Sequence, residues 1–520
     1  MNTDSARKLV PHLVVLCILG VWAWLMNDTG RWPSGDGPHV LGIAERLSLL
    51  VREGELGFVG WAAQSLLAPH PPGAYLPYAA VYTLLGTGKG VHLVAVVLLL
   101  WLCWDGVRRL GGGWAGGLWL MATPLIWAQA EGAGVDLFTA TAAVQSISHL
   151  AASDRLAHRR HVWAWAGWMG VGFLSKYTFP MFLVLPCVVA GVWVVMERRW
   201  RHLLEALLLF ALLAGPWYWV HGHQVLSYVV GSVDADPFLV DMRSAAQGEW
   251  WETPNLLWYA AAGVDAWGWA GALALVIGLL GRRREGCPRG AWMLPLLGIL
   301  GAYAVLTLNP QRQDRYMLPA VPLVAALAGS GRLRAWLAPV AVVGAYGAAA
   351  MFLQSGTAPA ERRFDHDLVS VGMDWPWPHE AYRPLSLDPG PWRVDETLLQ
   401  MREAHGRDDG TVGLLLDDLR GAPGMGLFLF RAGALGFRWD LATVMVDFMP
   451  GAGGQLRSDV FVGPFATDDW PSREFDVLVA VVRPSDLARA SWLRQAGVEE
   501  IASWELPGEF EGRLLRIVGP

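Results

Sequence analysis

Through roughly the first 350 residues, apolar residues run in long blocks, and short polar stretches separate the blocks. A bilayer core needs about 20 mostly apolar residues per helix. On that measure the pattern predicts spans near 9–26, 90–110, 113–130, 134–152, 162–175, 177–196, 203–220, 254–280, 290–308, 316–329 and 333–354, about eleven in all. The first block follows Arg7 and Lys8, as a signal peptide would. It is longer than a typical signal core and has no small-residue cleavage site before Asn27, so it reads as an anchor. After about residue 355 the texture changes: acids, arginines and prolines become frequent and no block is long enough to span. There "TVGLLLDDLR", "FDVLVAVV" and "GRLLRIV" read as short strands, the second followed by a helix-like "SDLARASWLRQAG". The expectation is an α-helical polytopic membrane domain over 1–354, with a first outer loop at 27–89, and a small soluble α/β domain over 355–520.

Composition sharpens the class. The chain is 54% hydrophobic and 17% charged, where a soluble protein carries about 25% charged residues. Its 30 tryptophans suit aromatic belts at two interfaces. The net charge of −6 and the lack of a basic stripe on any soluble face exclude a nucleic-acid partner. Cys17, Cys103, Cys187 and Cys287 all precede residue 290, so no disulfide framework is expected in the soluble part.

Charge also sets orientation. With a cytoplasmic N-terminus, the inner connections carry Arg7/Lys8, Arg108/Arg109, Arg155/Arg159/Arg160, Arg198/Arg199/Arg201, Arg282/Arg283/Arg284/Arg289 and Arg332/Arg334. This is the positive-inside pattern at each of them. The outer connections hold most of the acids, Asp36, Glu131 and Asp136 included. An odd number of spans then puts the C-terminal domain on the outer, extracytoplasmic side.

Ionisable residues at the edge of membrane helices are costly and therefore functional candidates. In "SGDGPHVLGIAERL" an aspartate between glycines, Asp36, precedes His39 just past the first span. "APHPPGAYLPYAAVYTLLG" places His70 before a stiff Pro-Pro pair, and "EGAGVDLFTA" brings Glu131 and Asp136 to the start of the fourth span. "GFLSKYTFP" contributes Lys176, one of three lysines in a chain that otherwise uses arginine. "LNPQRQDRYMLPAVP" supplies Arg312, Arg315 and Tyr316. The bland readings are that Lys176 snorkels to headgroups and that Arg312 and Arg315 meet lipid phosphate or Asp314. Taken together, acids and cations on one predicted face suit chemistry on a lipid-linked phosphate, with cations for the phosphate and a carboxylate as general base or metal ligand.

In that order the motifs resemble the GT-C superfamily of polytopic glycosyltransferases, especially the branch of protein O-mannosyltransferases and the bacterial aminoarabinose transferase of lipid A. The likeness runs from residue 9 to about 330: Asp36 early in the first outer loop, "PHPPGAYLPYAAVYTLLG", Asp136, "FLSKYT" and "DRYMLPAVPLVAALAG". The resemblance implies an inverting sugar transfer from a polyprenyl-phosphate donor to a hydroxyl on a protein, lipid or glycan, at the outer face of a bacterial inner membrane. Asp36 would be the catalytic base and Asp136 a second acid, orienting the acceptor or a metal. Lys176, Arg312, Arg315, His70 and Tyr316 would serve the donor phosphate, with His39 and Glu131 in support. Relatives often follow the first aspartate with Glu, and with Arg or Tyr a few residues later; here Gly37 and His39 stand instead. A divalent ion (Mg or Mn), or a site built from His39, His70 and a carboxylate, stays open as an alternative. So do two other classes: a transporter, which would place polar residues at midplane and show paired repeats, and a non-catalytic scaffold with an outer binding domain.

Overall fold

A computed structural model describes residues 3–28, 32–33, 37–55, 71–87, 90–131, 133–233, 273–280, 290–308, 314–337, 386–387, 409–416, 438–445, 477–482, 498–505 and 511–517, with a few isolated positions besides. The chain divides into two compact units. One comprises residues 1–24, 67–77 and 93–384; the other comprises 25–66, 78–92 and 385–520.

The first unit is helical. Its main elements are α1 (Thr3–Asp28, through Trp24), α4 (His92–Arg109, from Leu93), α5 (Gly113–Met121), α6 (Pro124–Glu131), α7 (Val135–Ala152), α8 (Arg159–Phe173), α9 (Val184–Glu197), α10 (Trp200–Val233), α11 (Gly290–Thr307) and α12 (Ala320–Ser330). Where the expected blocks fall on described residues these helices match them with one correction; most of the spans expected over 254–280 and 333–354 lies outside the described residues. The span predicted over 113–130 is two short helices, because Pro124 lacks the N–H that would continue the first of them. Among the described residues, Trp200–His223 and Gly290–Thr307 are long and apolar enough to cross a membrane on their own. Other helices leave an apolar exterior: Ile18 and Val21 on α1, Val188 and Val195 on α9, and Leu212 and Trp219 on α10 are exposed. The chain is a helical membrane protein, its lipid-facing side chains apolar as the bilayer requires.

The centre of this unit is α7, which is buried over nearly its whole length although it carries Thr139, Thr141, Gln145, Ser146, Ser148 and His149. Some of these groups bond across helices: the Thr141 hydroxyl lies within reach of the Leu99 carbonyl at 3.2 Å as well as of the Leu137 carbonyl in its own helix, and the Gln145 amide donates to the Leu102 carbonyl at 2.6 Å. Small residues let other backbones touch. A Cβ on Gly116 of α5 would lie 2.5 Å from the Ala325 carbonyl of α12, so glycine is required there.

Opposite ends of the helix hairpin α7–α8 carry opposite chemistry. At the C-terminal end of α7, Asp105 pairs with Arg108 (2.8 Å) and Arg109 (2.6 Å), and Arg109 meets His149 at 3.2 Å. At that same end Arg155 pairs with Glu197, and Arg159 and Arg201 both pair with Glu205. The other end is the candidate site.

The second unit contains α2 (Gly37–Arg52), most of α3 (Leu76–Leu85) and the described strands. β1 (Trp32–Pro33) pairs antiparallel with β2 (Ser386–Leu387). β3 (Asp409–Leu416), β4 (Arg438–Met445), β5 (Val477–Val482), β6 (Val498–Glu505) and β7 (Glu511–Ile517) form one sheet in the order β4-β3-β5-β7-β6. β3 runs parallel to β4 and β5, and β7 runs antiparallel to β5 and β6. The three segments read as strands from sequence are β3, β5 and β7.

Candidate active site

α7 begins after Gly134, whose extended backbone turns the chain into the helix, and Asp136 lies in the first turn. A carboxylate there is favoured by the partial positive charge of the helix N-terminus. α8 runs back alongside and ends at Phe173; Lys176 follows within three residues, where a cation is favoured by the opposite pole. The hairpin therefore delivers an anion and a cation to one place. Lys176 Nζ donates to Asp136 Oδ1 at 2.8 Å and to Oδ2 at 3.0 Å, bridging both carboxylate oxygens. The pair is buried, with side-chain exposures of 11% for lysine and 2% for aspartate. Each offsets the cost of removing the other's charge from water.

Tyr316 closes the arrangement. The 3₁₀ turn Asp314–Met317, just before α12, sets its buried ring 4.8 Å (Nζ to centroid) from the Lys176 ammonium. That is a cation–π distance. The ammonium is thus held between a carboxylate and an aromatic face.

The loop that carries Lys176 is fixed from several sides. The Gly73 amide of the Pro-Pro-Gly segment donates to the Leu174 carbonyl at 2.6 Å. A Cβ at Gly73 would meet that same oxygen at 2.6 Å, so only glycine allows the approach. The Tyr218 hydroxyl donates to the Phe173 carbonyl at 2.8 Å. Ser175 Oγ donates to the Gly172 carbonyl at 2.6 Å and lies 3.1 Å from Thr139 Oγ1. Sequence reasoning missed Thr139, Ser175 and Tyr218. A hydroxyl three residues after Asp136 and another beside Lys176 were the available signals.

Of the nine predicted site residues, the structure brings together Asp136, Lys176 and Tyr316. Asp36, His70 and Arg312 lie outside the described residues. His39 sits in the first turn of α2, Glu131 at the end of α6 and Arg315 in the Tyr316 turn, but their side chains also lie outside the description. Among the described residues, no three His, Cys, Asp or Glu side chains are grouped to hold a metal. Asp136 does not fit that role, since a divalent cation would have to sit beside the ammonium that already occupies both of its oxygens.

Known proteins share this architecture. ArnT from Cupriavidus metallidurans, crystallised with undecaprenyl phosphate, matches 99% of this chain over 99% of its own, with a TM-score of 0.59 at 15% identity. The chain has a GT-C fold. The apo form of ArnT gives the same TM-score. The mycobacterial arabinofuranosyltransferase AftD matches 97% of the chain over 41% of its own length, with a TM-score of 0.52 at 14% identity. GPI mannosyltransferase 4 of Eremothecium gossypii is 30% identical over 203 residues, 36% of each chain, so the match spans about a third of that relative. No family model matches the sequence.

Proposed function

We propose that this chain is a membrane glycosyltransferase. It moves a sugar from a polyprenyl-phosphate donor to a hydroxyl of a protein, lipid or glycan acceptor at the outer face of a bacterial inner membrane. The observation that carries the reading is the buried Asp136–Lys176 pair under the Tyr316 ring. It stands in a chain that matches ArnT, a protein crystallised with undecaprenyl phosphate, over nearly its full length. Under the positive-inside orientation this end of the hairpin faces outward, with the arginine-rich end at the cytoplasm.

In the proposed reaction Asp36 accepts the acceptor's hydroxyl proton as that oxygen attacks the anomeric carbon. The bond from that carbon to the phosphate oxygen breaks on the opposite face, which inverts the configuration and releases polyprenyl phosphate. A phosphate leaving group needs cations more than it needs an acid, and Lys176, Arg312, Arg315 and His70 supply them. Asp136 keeps Lys176 in place until the phosphate arrives, and Tyr316 holds the ammonium from the other side. His39 and Glu131 complete the proposed set as supporting residues.

The test is transfer by the purified protein in detergent or nanodiscs from a panel of lipid-linked sugars, together with direct binding of undecaprenyl phosphate. Lys176→Ala should weaken undecaprenyl phosphate binding. An unchanged affinity, or no transfer from any polyprenyl-phosphate sugar, overturns the reading.

A further inference from the structure

The last turn of α8 ends in an unusual degree of constraint. A helix terminus leaves its final carbonyls without intrahelical partners, and three consecutive ones here are claimed by three different sources. The Gly172 carbonyl takes the Ser175 hydroxyl, the Phe173 carbonyl takes the Tyr218 hydroxyl of α10, and the Leu174 carbonyl takes the Gly73 amide. Two positions later comes Lys176, whose own carbonyl accepts the Phe179 amide at 3.0 Å. The hydroxyl pair Thr139–Ser175 adds a tie from α7, one helical turn beyond Asp136. Either hydroxyl can donate in that pair, since Thr139 also reaches the Val135 carbonyl at 3.2 Å as Ser175 reaches that of Gly172. The backbone leading to Lys176 is thus set by α7, by α10 and by the Pro-Pro-Gly segment at once.

We infer that Tyr218 and Thr139 are positioning residues for the donor phosphate, acting through the turn that aims Lys176. The inference rests on the proposed role of Lys176. A charge placed opposite phosphate loses effect steeply when misdirected, since the contact depends on distance and angle. Neither hydroxyl points at Lys176 itself; each fixes a main-chain or side-chain oxygen within three residues of it. Tyr218 also keeps its ring against Phe173 and Trp217, at centroid separations of 6.4 and 4.9 Å. Removing the hydroxyl alone therefore leaves the packing in place.

The experiment is a double-mutant cycle read by undecaprenyl phosphate binding and by the donor KM. Tyr218→Phe and Thr139→Val should each weaken binding and raise the donor KM by about five- to tenfold, the scale of one net hydrogen bond, with kcat little changed. Thr139→Ser should recover most of the loss. Against Lys176→Ala, neither variant should add a further loss, because the group they aim is gone. If Tyr218→Phe and Thr139→Val leave donor affinity intact while Lys176→Ala weakens it, the positioning role fails and the function stands. If their losses add fully to that of Lys176→Ala, they act on the fold at large and the inference also fails. If Lys176→Ala itself leaves affinity unchanged, the functional reading fails first.

Discussion

Breaking the Asp136–Lys176 pair separates its structural from its chemical worth. In Lys176→Met the apolar stem is kept and the ammonium that bridges both oxygens of the 2%-exposed Asp136 carboxylate is lost. Removing one partner of a buried ion pair costs about 3–5 kcal/mol, while exposed pairs are worth about 0–1 kcal/mol. Arg155–Glu197, at side-chain exposures of 41% and 35%, is the internal control of the second kind. Lys176→Met should therefore lose about 3–5 kcal/mol of stability, and Arg155→Ala less than about 1 kcal/mol. The double variant Asp136→Leu/Lys176→Met removes both charges and restores an apolar contact, so it should return to within about 1 kcal/mol of the parent or exceed it. It should still transfer no sugar. The assay is denaturant unfolding in one detergent, followed by tryptophan fluorescence, beside the transfer assay on the same preparations. A Lys176→Met loss no larger than that of Arg155→Ala would refute the argument that the two charges hold each other in the interior.

Asp36→Asn should abolish transfer while leaving expression and undecaprenyl phosphate binding close to normal, because it removes a base and little volume; transfer at the parent rate would remove Asp36 from the mechanism. Tyr316→Phe should keep the donor affinity, since the ring face remains, whereas Tyr316→Leu should weaken it by about fivefold, in line with a cation–π contact of about 1 kcal/mol; equal effects from both would point to the hydroxyl instead. Gly73→Ala forces a methyl against the Leu174 carbonyl and should lower both thermal stability and donor affinity. A fully stable, fully active Gly73→Ala protein would show that the Pro-Pro-Gly contact is dispensable.

Much of the helical unit was legible because apolar blocks of membrane length leave few alternatives. The break at Pro124 is also written in the chain, but the unbroken length of the apolar block around it masks the proline. Asp136 and Lys176 stood out because ionisable residues at membrane boundaries are costly, and Tyr316 because it stands in the "DRYMLPAVP" stretch. Their meeting was not legible, since 40 positions separate the two charges and only the antiparallel packing of α7 and α8 joins them. Thr139, Ser175 and Tyr218 were harder to single out: hydroxyls in apolar helices are commonplace, and what marks these three is a contact made in the fold, Thr139 with Ser175 and Tyr218 with the Phe173 carbonyl. In the sheet, β3, β5 and β7 announced themselves by apolar runs. β4 and β6 alternate polar with apolar residues and carry acids, which hid them.

The two-residue pairing of β1 with β2 joins the loop just ahead of Asp36 to a segment hundreds of residues later. Neither partner can find the other until nearly the whole membrane part of the chain has been made. The closure entropy of so long a loop grows only logarithmically with its length, so lateness costs little stability. What it imposes is an order of events. A nascent chain released before Ser386 would leave the Trp32–Pro33 strand without its partner.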